Sequence, residues 1–201
     1  MRLAFFGGSF DPVHNGHLFV ADEIIHLGLA DHVLFVPAKT SPFKAEAGIA
    51  PGADAADRLE MLRAATAGRD GMSIDEWELE AGQVTYTVDT VDHLYRDRQL
   101  SQPPGMIIGA DLLDRFDQWR DPQRLLSLVR PIIVGRPGFS KGEMPAVLHD
   151  AEPVYVDNRI IAVSSSEVRR RVRNGLAFCD LVPATVFDYV TTKGLYRDAT
   201  R

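Results

Sequence analysis

His14 and His17 stand three residues apart with Gly16 between them, inside the stretch Gly7-Gly8-Ser9-Phe10-Asp11-Pro12-Val13-His14-Asn15-Gly16-His17. On the first turn of a helix that spacing sets both imidazoles on one side. Two imidazoles facing a phosphate donate hydrogen bonds and, when protonated, stabilise the charge of a phosphoryl transition state. The glycines let a phosphate approach the backbone closely, and Ser9 offers a hydroxyl donor. The spacing is not G-x-G-x-x-G and no Gly-Lys-Ser/Thr follows, which excludes the dinucleotide fingerprint and the P-loop. A zinc site fits less well, because the helical zincin pattern needs histidines four apart and Cys179 is the single cysteine. The plainest alternative to phosphate binding is a polar capping turn whose histidines meet water.

A second constellation, Ser164-Ser165-Ser166-Glu167-Val168-Arg169-Arg170-Arg171, follows the apolar stretch Ile160 to Val163. Serines at a helix start satisfy free N–H groups, and Glu167 three residues after Ser164 predicts a capping box. Arg169 falls one turn into that helix on the serine side. Hydroxyls, backbone N–H groups and a guanidinium together clasp a polyphosphate. Ser165, Ser166 and Arg169 are therefore the second candidate set, while Arg170, Arg171 and Arg173 read as solvated surface charge.

These residues need elements to hold them. Leu3 to Phe6 reads as a buried strand, Asn15 to Leu29 as a helix, and Val33 to Val36 as a strand ended by Pro37. Residues 38–53 have no period and read as a long mobile loop. A helix over Asp54 to Thr66, capped by Asp54 or Asp57, is followed by a strand around Met72 to Asp75 and a helix from Thr87 to Asp97. Further strands are predicted at Met106 to Ile108, Ile132 to Val134 and Val154 to Val156, with closing helices at Ser165 to Asn174 and Pro183 to Thr192. This alternation predicts one α/β domain over 1–201. It is a doubly wound, Rossmann-like parallel sheet with helices on both faces and small helices at the C-terminal end. The first strand-to-helix turn then lies at the ligand crevice of the sheet.

Composition sets the outer limits. The chain has 201 residues, 22 basic against 28 acidic side chains, and a formal net charge of -6. That balance speaks against a nucleic-acid polymer as partner, which requires a broad positive face. One cysteine permits no internal disulfide, no apolar run reaches the ~18 residues of a membrane helix, and the short apolar N-terminus is no signal peptide. A soluble, cytoplasmic protein without a membrane partner is expected, and a homo-oligomer is compatible with the sequence.

With GGSFDPVHNGH at 7–17 and SSSEVR at 164–169, the chain resembles the H-x-G-H nucleotidyltransferase superfamily, which transfers AMP or CMP from a nucleoside triphosphate to a phosphate or phosphomonoester. Within it the chain is most similar to the bacterial nicotinate mononucleotide adenylyltransferases. That likeness also rests on VPAKTSPFK at 36–44, DRLEML at 57–62, VTYTVDTV at 84–91, IIGADLLDRFDQW at 107–119, VGRPG at 134–138 and KGLYR at 193–197. The resemblance implies transfer of AMP from ATP to nicotinate mononucleotide, giving deamido-NAD and pyrophosphate in NAD biosynthesis, with Mg²⁺ accompanying ATP.

The resemblance also implies roles. His14, His17 and Arg169 would be catalytic. Gly8, Ser9, Phe10, Gly109, Asp111, Ser165 and Ser166 would join them in binding ATP, Gly109 and Asp111 at the ribose. Trp119 would stack on the pyridine ring, with Tyr86 and Thr87 lining that pocket and a backbone N–H meeting the nicotinate carboxylate. Lys44 and Arg136 would reach substrate phosphate. Without the resemblance, Trp119 is equally well a core-edge cover, Asp111 an N-cap and Lys44 a solvated loop charge. Two residues depart from the family: Phe43 stands where a histidine is frequent, and Arg120 follows the stacking Trp where an aromatic is common. Arg120 would then add attraction for an acidic substrate, unless a backbone N–H does that work. Competing readings are another adenylyltransferase, such as a phosphopantetheine adenylyltransferase, and a nucleotide-binding regulator without turnover.

Overall fold

The computed structural model describes residues 1–82, 84–135, 145–156 and 161–197. Its six strands are β1 (Leu3–Gly8), β2 (His32–Pro37), β3 (Met72–Ile74), β4 (Gly105–Gly109), β5 (Arg130–Val134) and β6 (Val154–Val156). They form one sheet in the order β3-β2-β1-β4-β5-β6, and every pair is parallel. The doubly wound reading holds. Strand order reverses between β1 and β4, so the carboxyl ends of these two strands open the crevice where open α/β sheets take ligands.

Alternation along the strands builds two cores. Ala4, Val33, Phe35, Ile107, Ile132 and Val134 point to one face. There they meet α1 (Asn15–His26), α3 (Ala55–Thr66), α8 (Ser165–Arg173) and α9 (Ala184–Lys193). Phe5, Leu34, Val36, Met106, Ile108 and Ile133 point to the other. They meet α5 (Thr87–Arg98), a 3₁₀ helix over Ala110–Gln118 and α6 (Pro122–Leu128). The four central strands β2, β1, β4 and β5 are covered on both sides, which is why each contains a short continuous apolar run.

Several elements differ from the sequence reading. α1 ends at His26, earlier than Leu29, because Gly28 at φ 65° turns the chain out of the helix. The expected loop 38–53 contains a short helix, α2 (Pro42–Glu46), started by Pro42 at its first position. Its far end is tied down: Gly52 N–H and Ala53 N–H donate to the Asp11 carboxylate at 2.7 and 3.0 Å. Short helices α4 (Trp77–Glu80), α6 and α7 (Ala146–His149) carry too few turns to display a period in the sequence. Asp54 is the cap of α3, accepting from Asp57 N–H at 2.7 Å. No helix among the described residues is long and apolar enough to cross a membrane.

Candidate active site

His14 is the N-cap of α1, with extended backbone (φ -141°), and His17 is the third helical residue. The two rings therefore come together across the cap and not on one helical turn. They stack at 3.6 Å between centroids and 18° between planes. His14 N–H donates to His17 Nδ1 at 3.2 Å, which in the neutral ring leaves the proton on Nε2 as a donor. Gly16 is required here, since a Cβ would lie 3.0 Å from Val163 and 3.1 Å from the His14 ring.

Phe10 takes the left-handed region at φ 45°, a conformation costing about 1–2 kcal/mol for a non-glycine residue. Burial of its ring offsets that cost: it is 2% exposed and packs edge-on against Phe6, Phe35 and His17, the last at 5.0 Å. Phe10 thus offers a ligand its backbone only and supports the His17 ring from behind. Gly8 is small so that this ring fits, a Cβ there lying 3.0 Å from it.

α8 docks its first turn on the same segment. Ser164 is the N-cap, accepting from Glu167 N–H at 3.2 Å. The predicted capping box is half formed, because the Glu167 carboxylate turns to Arg170 and Arg171, at 2.7 and 3.4 Å. Those pairs hold its carboxyl below the usual range, the Arg170 hydrogen bond being the main cause. Arg170 and Arg171 are thus paired on the helix surface. The Ser165 hydroxyl donates to Pro12 O at 2.9 Å, spending its proton on the turn. Arg169 donates to Asp11 O at 2.6 Å and to Ser166 Oγ at 3.2 Å, and lies 3.6 Å from the Asp11 carboxylate.

Three residues that the sequence reading left without a role organise this junction. The Asp11 side chain, 2% exposed, takes Gly52 N–H, Ala53 N–H and the Tyr196 hydroxyl (2.9 Å) as well as the Arg169 contact. Burial and the Asp11 carboxylate push the Tyr196 phenol far above its ordinary pKa, so it acts as a donor. Arg58, 1% exposed, donates to Ser9 O, Ala38 O and Lys39 O at 2.6, 2.8 and 2.9 Å. It fixes the turn after β1 to the start of the 38–53 segment. Asp11 lay inside the histidine motif, Arg58 in DRLEML and Tyr196 in KGLYR, but burial was the missing information.

Two cavities of about 320 Å³ each adjoin at the carboxyl ends of β1 and β4 and share Gly7, Gly8, Ser9, Ile107 and Leu112. The first gathers Gly8, Ser9, Phe10, His14, His17, Gly109, Asp111, Ser165, Ser166 and Arg169, every residue predicted to bind ATP. Asp111 sits in the first turn of the 3₁₀ helix, whose N-cap is Gly109, so it is free of the capping role. The second is lined by Tyr86, Thr87, Trp119, Arg120, Phe43 and the buried Glu78, with others. Trp119 packs one ring face on Phe116 at 4.9 Å, and its indole N–H is buried without an acceptor among the described residues. Tyr86 is the N-cap of α5 and Thr87 its first residue, so the helix start borders this cavity. Glu78 accepts from Thr90 Oγ1 at 2.5 Å; desolvation raises its pKa above the ordinary glutamate range. Arg136 and the Lys44 side chain lie outside the described residues.

A parallel α/β sheet whose switch point holds a histidine pair, a serine-capped helix start and an arginine beside a second, aromatic cavity defines a nucleotide-binding transferase architecture. The chain belongs to the cytidylyltransferase-like family, which it matches over residues 5–171. It is 36% identical over 196 residues to the probable nicotinate-nucleotide adenylyltransferase of Borrelia turicatae, covering 98% of each chain. The protein of that name from Gemmatimonas aurantiaca is 37% identical over 207 residues, with 100% of this chain and 95% of the relative covered. Among solved structures, the nicotinic acid mononucleotide adenylyltransferase of Plasmodium falciparum complexed with NaAD shares the fold at TM-score 0.77. That match has 19% identity and covers 97% of both chains. The same protein complexed with APC gives TM-score 0.74 at 18% identity over 97% of this chain and 96% of that one.

Proposed function

We propose that residues 1–201 form a single nucleotidyltransferase domain that transfers AMP from ATP to nicotinate mononucleotide, giving deamido-NAD and pyrophosphate. The observation that carries this reading is the pair of adjoining cavities, one polar and cationic, one aromatic, that meet at Gly7, Gly8 and Ser9. Two substrates placed there bring a triphosphate and a mononucleotide phosphate together at the shared wall. The relatives named for this activity, and the NaAD and APC complexes of the structural neighbour, support the same pair of substrates.

In the reaction, an oxygen of the mononucleotide 5′-phosphate attacks the α-phosphorus of ATP. The bond from that phosphorus to the bridging oxygen breaks, and pyrophosphate leaves with the bonding pair. A phosphate monoester has its second pKa at about 6, so the nucleophile is already ionised and no general base is needed. Catalysis is alignment and charge stabilisation. His17, its proton held on Nε2, and His14 face the phosphates. Arg169, the Ser166 hydroxyl and the first-turn N–H groups of α8, Ser165 among them, hold the β and γ phosphates. Gly8, Ser9 and Phe10 contribute backbone, Gly109 and Asp111 meet the ribose, and Trp119, Tyr86 and Thr87 bind the pyridine ring. Lys44 and Arg136 are assigned to substrate phosphate on the resemblance alone.

Mg²⁺ belongs to this reading as part of the ATP substrate. The carboxylates lining the proposed phosphate cavity are Asp111, which is exposed, and Asp11, whose oxygens meet backbone, Tyr196 and Arg169. That donor set suits an ion carried on phosphate oxygens and water. Both substrates are charged and cross no bilayer unaided, which fits a cytoplasmic location. The test is pyrophosphate release from ATP with a panel of mononucleotides. Release with nicotinate mononucleotide is expected; binding of ATP without release would favour a regulator, and release with phosphopantetheine alone would favour another adenylyltransferase.

A further inference from the structure

The aromatic cavity contains a charge arrangement of its own. Its lining includes two carboxylates, Glu46 and Glu78, and among the described residues one cation, Arg120. The Arg120 guanidinium lies 4.6 Å from the centroid of the Tyr86 ring, within the ~6 Å of a cation–π contact. Tyr86 caps α5, so the guanidinium and the positive end of that helix border the same cavity. The backbone holds Arg120 in place from both sides. Trp119 N–H donates to Phe116 O at 3.1 Å, and Asp121, at φ 52°, accepts from Leu125 N–H at 2.9 Å as α6 begins. Among the described residues no carboxylate lies within ion-pair distance of Arg120, unlike Arg124, which pairs with Asp92 at 2.7 Å.

We infer that Arg120 is a specificity-determining residue, selecting a ring substrate that bears a carboxylate over the same ring bearing a neutral amide. This rests on the proposed function and names the selecting group within it. A substrate anion entering a cavity with two carboxylates, in a chain of net charge -6, meets unfavourable potential that one unneutralised guanidinium offsets. The amide gains little from that charge, so the discrimination is electrostatic. Stacking on Tyr86 keeps the long side chain in one place and reduces the ordering cost of each binding event.

The test is steady-state kinetics of wild type, Arg120→Met and Arg120→Lys with nicotinate and nicotinamide mononucleotides at fixed ATP, at low and high salt. Arg120→Met is expected to lower kcat/KM for the acid about tenfold, mostly through KM, and to change that for the amide less than about twofold. Arg120→Lys is expected to recover part of the acid preference, because it keeps the charge and loses the planar stack. Raising salt should weaken the acid preference of wild type more than that of Arg120→Met. An unchanged acid-to-amide ratio in Arg120→Met, with wild type active on the acid, overturns the inference while leaving the proposed function standing. Wild type inactive on both mononucleotides overturns the proposed function itself. Arg120 is exposed, and an unchanged unfolding temperature in both variants confirms that the kinetics read the site.

Discussion

His17 is the residue the proposed chemistry depends on most, its Nδ1 accepting from the His14 backbone N–H and its ring stacked on that of His14 in the same cavity. Replacing His17 with Ala should cut kcat by more than about tenfold, a loss above about 1.4 kcal/mol of transition-state stabilisation, while circular dichroism stays native. Turnover near that of wild type would remove His17 from the mechanism. Asp11 acts differently, as a positioning residue tying Arg169, Tyr196 and residues 52–53 to the turn. Asp11→Asn keeps the shape but leaves buried donors unmatched, and should destabilise the fold by about 3 kcal/mol or more. Tyr196→Phe removes one hydrogen bond and should cost about 1 kcal/mol. Denaturant unfolding of the two variants tests the order, and equal losses would mean that the carboxylate is no hub. The histidines, serines and Arg169 were legible as a candidate set, and the structure brings them to one cavity. Asp11, Arg58 and Tyr196 were not, since their importance lies in being buried together across 185 positions of chain.

At the scale of elements, α8 brings Ser165, Ser166 and Arg169 to the first cavity, and its position depends on Ser164 capping and Ser165 clasping Pro12. Ser164→Ala should cost about 1 kcal/mol through loss of the cap. In a chain of this size that is about 2–4 °C in unfolding temperature, measurable by calorimetry. An unchanged midpoint would show that the cap contributes nothing. Elements with a long period or a continuous apolar run were readable from sequence: all six strands, and helices α1, α3, α5, α8 and α9. The short helices α2, α4, α6 and α7 were not, because one or two turns give no repeat for a pattern to show. Gly52 shows the same limit, being small because a Cβ would lie 2.7 Å from the Arg169 side chain, a contact set only by tertiary packing.

For the molecule as a whole, a net charge of -6 proved a poor guide to its partners. The histidine pair and Arg169 line the cavity at the carboxyl ends of β1 and β4, whereas Arg2, Arg98 and Arg130 border a cavity at the amino ends of the strands, so the sum hides where the charge sits. Charge also enters through Glu78. Its folded pKa is raised, so the native state keeps that proton to higher pH than the unfolded chain. Stability is therefore lost as pH rises from about 4.3, the ordinary glutamate value, through the folded pKa. Glu78→Gln lacks this titration, and its unfolding temperature should gain on that of wild type across that window. A difference that stays flat from pH 4 to pH 8 would contradict the burial penalty. The central claim concerns which bond breaks, and ATP labelled at the α-phosphorus tests it most directly when incubated with unlabelled nicotinate mononucleotide. The label should pass entirely into the dinucleotide, with unlabelled pyrophosphate released in equal amount; labelled ADP, or labelled AMP without dinucleotide, would contradict adenylyl transfer.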